Sequence, residues 1–158
     1  MKYIKMIFVI LFICTLYLLY AFYLRQGHIK EIYQHSEYSE IWARDCKSTV
    51  ILVDNAPLSH DAQKKLWQKN STEIMKKWAP LTDRCDEILF VNNRISYIKR
   101  SGDINYWIAD DAICLNGILG GCISWGERLF YVEIGDPKWK DEVATDKSGT
   151  RVHLSFID

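Results

Sequence analysis

Met6–Leu24 (MIFVILFICTLYLLYAFYL) is a 19-residue run without a charge, a glycine or a proline. As an α-helix rising about 1.5 Å per residue it would be roughly 28 Å long, close to the hydrocarbon thickness of a bilayer. Its apolar residues cover every face and leave no polar stripe, which argues against an ordinary core helix. A helix also satisfies its own backbone groups, as a bilayer interior requires. The sequence therefore predicts a transmembrane helix over 6–24 behind a short cytoplasmic tail at 1–5, with the lipid bilayer as its first partner. Cleavage is disfavoured. Tyr20-Ala21-Phe22-Tyr23-Leu24 is bulky where a signal-peptide site needs small residues. Cys14 follows Phe12 and Ile13, not the small residues of a lipoprotein site.

Orientation follows from weaker signals. Lys2 and Lys5 precede the run and Arg25 and Lys30 follow it, so the positive-inside count is nearly balanced. The short leading tail, the Tyr17, Tyr20 and Tyr23 belt at the distal end, and the cysteines downstream favour an N-terminus in the cytoplasm. Cys46, Cys85, Cys114 and Cys122 make an even set beyond an export signal, which suggests two disulfides in an oxidising space. Four cysteines allow three pairings, with free buried thiols as the rival reading. The favoured pairing is Cys114–Cys122, closing a loop with three glycines, together with Cys46–Cys85. Zinc ligands come in close Cys or His pairs, and this spacing has none. The expected location is the bacterial inner membrane, single-pass, with 25–45 as a linker or first strand and 46–158 as a periplasmic domain.

Lys2 and Lys5 are the only charges before Arg25. The rest of the chain thus holds 18 of the 20 Lys and Arg against all 20 Asp and Glu, a formal charge of −2. That balance gives no electrostatic case for nucleic acid. Val50–Val53 is a β-branched run that reads as a buried strand, ending in the turn Asp54-Asn55-Ala56-Pro57. Ser59 suits a helix N-cap, and Ala62, Leu66, Ile74 and Trp78 recur at multiples of four before Pro80. Lys64, Lys65, Lys69, Lys76 and Lys77 fall on that helix's outer face. Strands are expected at 87–91, 95–99, 104–108, 113–114, 122–124, 129–134 and 151–157, with Asn92-Asn93-Arg94 as a hairpin turn. The predicted class is α+β: an N-terminal transmembrane helix, then an antiparallel β-sheet domain with one main amphipathic helix.

The chain contains no G-x-S-x-G elbow, P-loop, H-E-x-x-H or dinucleotide fingerprint. No catalytic, cofactor-binding or metal-ligating set is assigned, and a non-enzymatic protein is expected. Asp110-Asp111 are adjacent, so in a strand their side chains point apart. Six tryptophans are many for this length. Most belong in a core; Trp125 and Trp139 are the candidates for partner contacts.

Several features together resemble the enterobacterial membrane-protein family called domain of unknown function 943. They are an N-terminal apolar helix, a strand running into Val53-Asp54-Asn55-Ala56-Pro57-Leu58-Ser59, and the tryptophan-bearing segment Gln63-Lys64-Lys65-Leu66-Trp67-Gln68-Lys69-Asn70. Cys114 and Cys122 and the strand Leu129–Ile134 complete the pattern. The family's double tryptophan is Leu66-Trp67 here. The resemblance implies inner-membrane anchoring with a periplasmic domain and no activity.

Three functions are compatible with these readings. The leading one is a tethered periplasmic binding protein, in its concrete form an immunity protein against a toxin acting in the periplasm. The second is an accessory subunit of a cell-envelope complex. The third is an envelope enzyme, which requires a cleft where groups such as His60, Asp110 or His153 converge.

Overall fold

The computed structural model describes residues 2–94, 108–109, 112–115, 121–135, 142–145 and 149–157. The chain is mostly sheet. Strands β1 (His28–Ser39), β2 (Arg44–Asp54), β3 (Glu87–Asn92), β4 (Ile108–Ala109), β5 (Ala112–Cys114), β6 (Cys122–Ser124), β7 (Arg128–Glu133), β8 (Glu142–Thr145) and β9 (Arg151–Phe156) accompany helices α1 (Lys2–Leu19) and α2 (His60–Trp78). Among the described residues, six strands form one open sheet in the order β1-β2-β3-β7-β9-β8, and β4-β5-β6 form a second.

The N-terminal run departs from expectation. Among the described residues no helix is long and apolar enough to cross a membrane. The charge-free run is divided between two kinds of helix, because α1 ends at Leu19 and Tyr20–Leu24 form a π-helical turn. The charge-free α-helical part, Met6–Leu19, measures roughly 21 Å, short of the ~30 Å hydrocarbon core. This overturns the transmembrane helix, the α+β class built on it, and the single-pass inner-membrane location with a cytoplasmic N-terminus. The sheet also differs from the expected antiparallel one, since β2 and β3 run parallel.

Parallel neighbours need a crossover connection, and α2 supplies it. Ser59 caps its start by accepting a hydrogen bond from the Ala62 backbone N–H, Asp61 sits in its first turn, and it ends at Ala79 in the left-handed region (φ 41°). Leu66, Trp67 and Ile74 of α2 pack on Ile51, Val53, Ile88, Phe90, Phe130, Val132 and Leu154 of the large sheet. Phe90 and Phe130 stack with centroids 4.3 Å apart, and Trp67 meets Phe90 edge-on at 6.2 Å. The opposite face carries Val50, Leu52, Leu89 and Val91, covered by Ile113 and Ile123 of the small sheet and by Leu115 just after β5. Thr49–Val53 are buried without a break because both faces of β2 are covered.

Other expectations resolve element by element. The second half of the hairpin predicted after β3 (95–99) lies outside the described residues, and so does most of 104–108. Between the strands expected at 129–134 and 151–157, where the sequence predicts none, lies the edge strand β8. Of the two readings of 25–45, a linker or a first strand, the segment holds the strand, since β1 pairs with β2 from His28 to Ser39. Both favoured disulfides are present, Cys46–Cys85 and Cys114–Cys122.

Phe90→Ala removes the ring shared by Trp67 and Phe130. Unfolding free energy in urea should fall by about 3–5 kcal/mol. A loss under about 1 kcal/mol would mean that this stack does not organise the core.

Candidate functional site

β1 and β2 are longer than the sheet that holds them. They pair in register from His28↔Asp54 to Ser39↔Arg44, whereas β3 joins β2 only over Ser48–Val53. Ser36–Ser39 and Arg44–Lys47 therefore project as a two-stranded prong, roughly 13 Å beyond the sheet body at ~3.3 Å per residue. A free two-stranded hairpin is marginal in water, so this one needs support from outside its own ladder.

The support comes from the segment that leads into β3. The Cys46–Cys85 bond joins the prong to it covalently. Asp86 is 1% exposed and receives hydrogen bonds from the backbone N–H groups of Lys47 (2.7 Å), Thr82 (2.7 Å) and Asp83 (2.8 Å) and from the Thr82 hydroxyl (2.9 Å). The Lys47 ammonium donates to the Ala79 carbonyl and the Thr82 hydroxyl. Arg44 pairs with Asp83 at 2.7 Å. The Arg44 hydrogen bond, then the Arg84 backbone N–H, holds the Asp83 carboxyl below the usual carboxylate range. A depressed folded value means that this tie is complete at neutral pH and is lost as pH falls through the lowered value.

The supported tip is apolar and exposed. Ile41 is 92% exposed, Tyr38 61% and Trp42 47%. Ala43 turns the chain with φ 50°, and the Arg44 Nε donates to the Trp42 carbonyl at 3.2 Å. Exposed Glu37, Glu40 and Asp45 surround the tip. No reactive chemistry gathers there. What the arrangement can do is bury an aromatic and an aliphatic side chain in a partner's pocket, with an acidic rim to meet basic walls.

The candidates drawn from sequence lie elsewhere. Trp125 is at the opposite end of the sheet, before β7, with the Arg128 guanidinium 4.1 Å from its ring centroid. Arg128 also donates to the Trp125 carbonyl and the Tyr131 hydroxyl. That tryptophan is already engaged within the chain. Trp139 and Asp110 lie outside the described residues. His60 stacks on Phe156 at 4.3 Å, on the α2 side of the sheet. His153 alternates with Val152 and Leu154, which pack toward α2, and so belongs to the opposite face. These two histidines do not share a cleft. His153 is 6% exposed beside its strand partner Glu133, and its Nδ1 has no hydrogen-bond partner among the described residues. Among the described residues no group of three His, Cys, Asp or Glu is placed to hold a metal.

Sequence reasoning missed Trp42, Ile41 and Tyr38. A usable signal was present: two large apolar residues inside the acidic stretch Glu37–Asp45, where a folded domain gains nothing by placing them unless something covers them.

No family model, curated protein or solved structure matches this chain. The resemblance to domain of unknown function 943 stands as a resemblance alone.

Asp86→Ala leaves three part-buried backbone N–H groups, those of Lys47, Thr82 and Asp83, without their acceptor. Stability in urea should drop by roughly 2–4 kcal/mol, and the amides of Lys47, Thr82 and Asp83 should exchange faster. Unchanged exchange at those amides would show that Asp86 does not anchor the prong.

Proposed function

We propose that this chain is a non-enzymatic protein-binding module that works in an oxidising compartment and engages its partner with the β1–β2 prong. The supporting observation is the exposure of Ile41, Tyr38 and Trp42 on a hairpin held by a disulfide, an ion pair and a buried carboxylate. Rigid support matters because ordering a flexible hairpin on binding would cost affinity. Tryptophan and tyrosine at a fixed tip are the side chains that most often dominate an interface. Two disulfides suit a secreted or periplasmic setting.

In its concrete form the module is an immunity protein. The prong enters an apolar pocket with basic walls on a toxin and blocks it. Acidic Glu37, Glu40 and Asp45 speed encounter with such walls. An accessory role in an envelope complex uses the same prong with a resident partner.

Cells exposed to a toxin encoded beside this gene provide the test. The wild-type chain should protect them. Trp42→Ala should weaken toxin binding by about 2 kcal/mol or more, near thirtyfold in Kd, with an unchanged unfolding midpoint. Protection that survives the combined Ile41→Ala and Trp42→Ala substitutions rejects the prong as the binding element. Absence of protection by the wild-type chain rejects the immunity form.

A further inference from the structure

A groove of about 500 Å³ lies at the other end of β1, between residues 27–32 and the second half of α2. Ile29, Ile32, Ile74 and Trp78 contribute apolar walls. Lys30 is the extra residue where the register shifts between Ile29 and Glu31. Lys30, Lys69 and Lys77 are exposed along the groove, and Lys65 and Lys76 extend the same basic helix surface. Glu31 and Glu73 are the acids in its lining. β1 is also a terminal strand of the large sheet, so its outer edge faces no other strand among the described residues. Such an edge is a template for strand addition.

The spacing of the lysines narrows what could add. Lys69 and Lys77 are eight residues apart on α2, or about 12 Å along the helix. Four strand residues span about 13 Å. A strand laid beside β1 can therefore set carboxylates at positions i and i+4 opposite the two lysines, with the residue at i+2 over Ile32 and Ile74. A second copy of this chain fits less well, because two-fold pairing through β1 brings the same lysine-rich surface to both sides.

We propose that the outer edge of β1 at the groove, which faces no strand among the described residues, accepts an extended partner segment of the pattern acid-x-apolar-x-acid, which pairs as an added strand and seats its apolar side chain in the groove. This rests on the reading of the chain as a protein-binding module. It adds an acidic segment to the pocket that the prong enters, so one partner is gripped at both ends of β1.

The probe is a fluorescein-labelled peptide repeating glutamate–threonine–valine–threonine–glutamate, titrated by anisotropy into the oxidised full-length chain. Saturable binding is expected. It should weaken at least tenfold in the Lys69→Glu, Lys77→Glu double variant, and be lost when alternate backbone nitrogens of the peptide are methylated. Trp42→Ala should leave it unchanged, since the tip lies at the far end of β1. The proposal is overturned by a failure to saturate, or by binding that survives methylation and so reflects charge alone. Concentration-dependent protection of the 28–35 amides without peptide also overturns it, because a second copy then occupies the edge. None of these outcomes touches the toxin-protection assay, so the prong and the groove fail separately.

Discussion

The parallel pairing of β2 with β3 is the constraint from which the other features follow. Val50↔Leu89 and Ile51↔Phe90 sit side by side in strands that run the same way. A tight turn cannot join them, so the chain must cross over, and α2 is that crossover. The crossover fixes α2 on one face, where Trp67 closes over Phe90. It also brings the beginnings of β2 and β3 to the same end of the sheet. Cys46 lies two residues before Ser48 and Cys85 two before Glu87, and Ser48 and Glu87 are partners. The disulfide continues the strand register two residues further, in covalent form.

That coincidence of two strand starts explains why the hairpin can project. β3 begins at Glu87, so among the described residues β2 has no second neighbouring strand before Ser48. The segment 79–86 takes the place of a strand with side-chain and loop contacts: Asp86 under Lys47, Asp83 on Arg44, Thr82 beneath the Lys47 ammonium. Leu81 anchors this segment in the main core, but the prong itself has no buried apolar side chain among the described residues. Polar groups and one covalent bond hold it, which leaves the large apolar side chains of the tip uncommitted. The same economy holds at the other end of β1, where the core takes Ile29 and Ile32 only partly and the groove stays open.

The parts of the fold legible in the sequence were those that local chemistry decides. Val50–Val53 read as buried because no side chain in it tolerates water, and Ser59 read as a cap because its hydroxyl has a backbone N–H to satisfy. The two disulfides could be favoured from the glycine loop and from an even cysteine count. Strand direction was not legible: Glu87–Val91 has the same pattern whether its neighbour is parallel or antiparallel, and only the long α2 connection hinted at the answer. The run 6–24 misled because hydropathy reports composition and is blind to where α-helical geometry ends, here at Leu19. The prong was missed for a related reason. Six tryptophans were visible, but which of them the fold leaves in solvent depends on β2 outrunning β3, a property of register.

The central claim is that the prong is a rigid extension whose stiffness comes from the segment before β3. Hydrogen exchange measured residue by residue on the oxidised chain and on a Cys46→Ser, Cys85→Ser double variant tests it most directly. The account predicts protected amides across Ser36–Ser39 and Arg44–Lys47 in the oxidised chain. In the variant that protection is lost while β3 and β7 keep theirs. A prong that exchanges freely with the disulfide intact, or one that stays protected without it, would contradict the account.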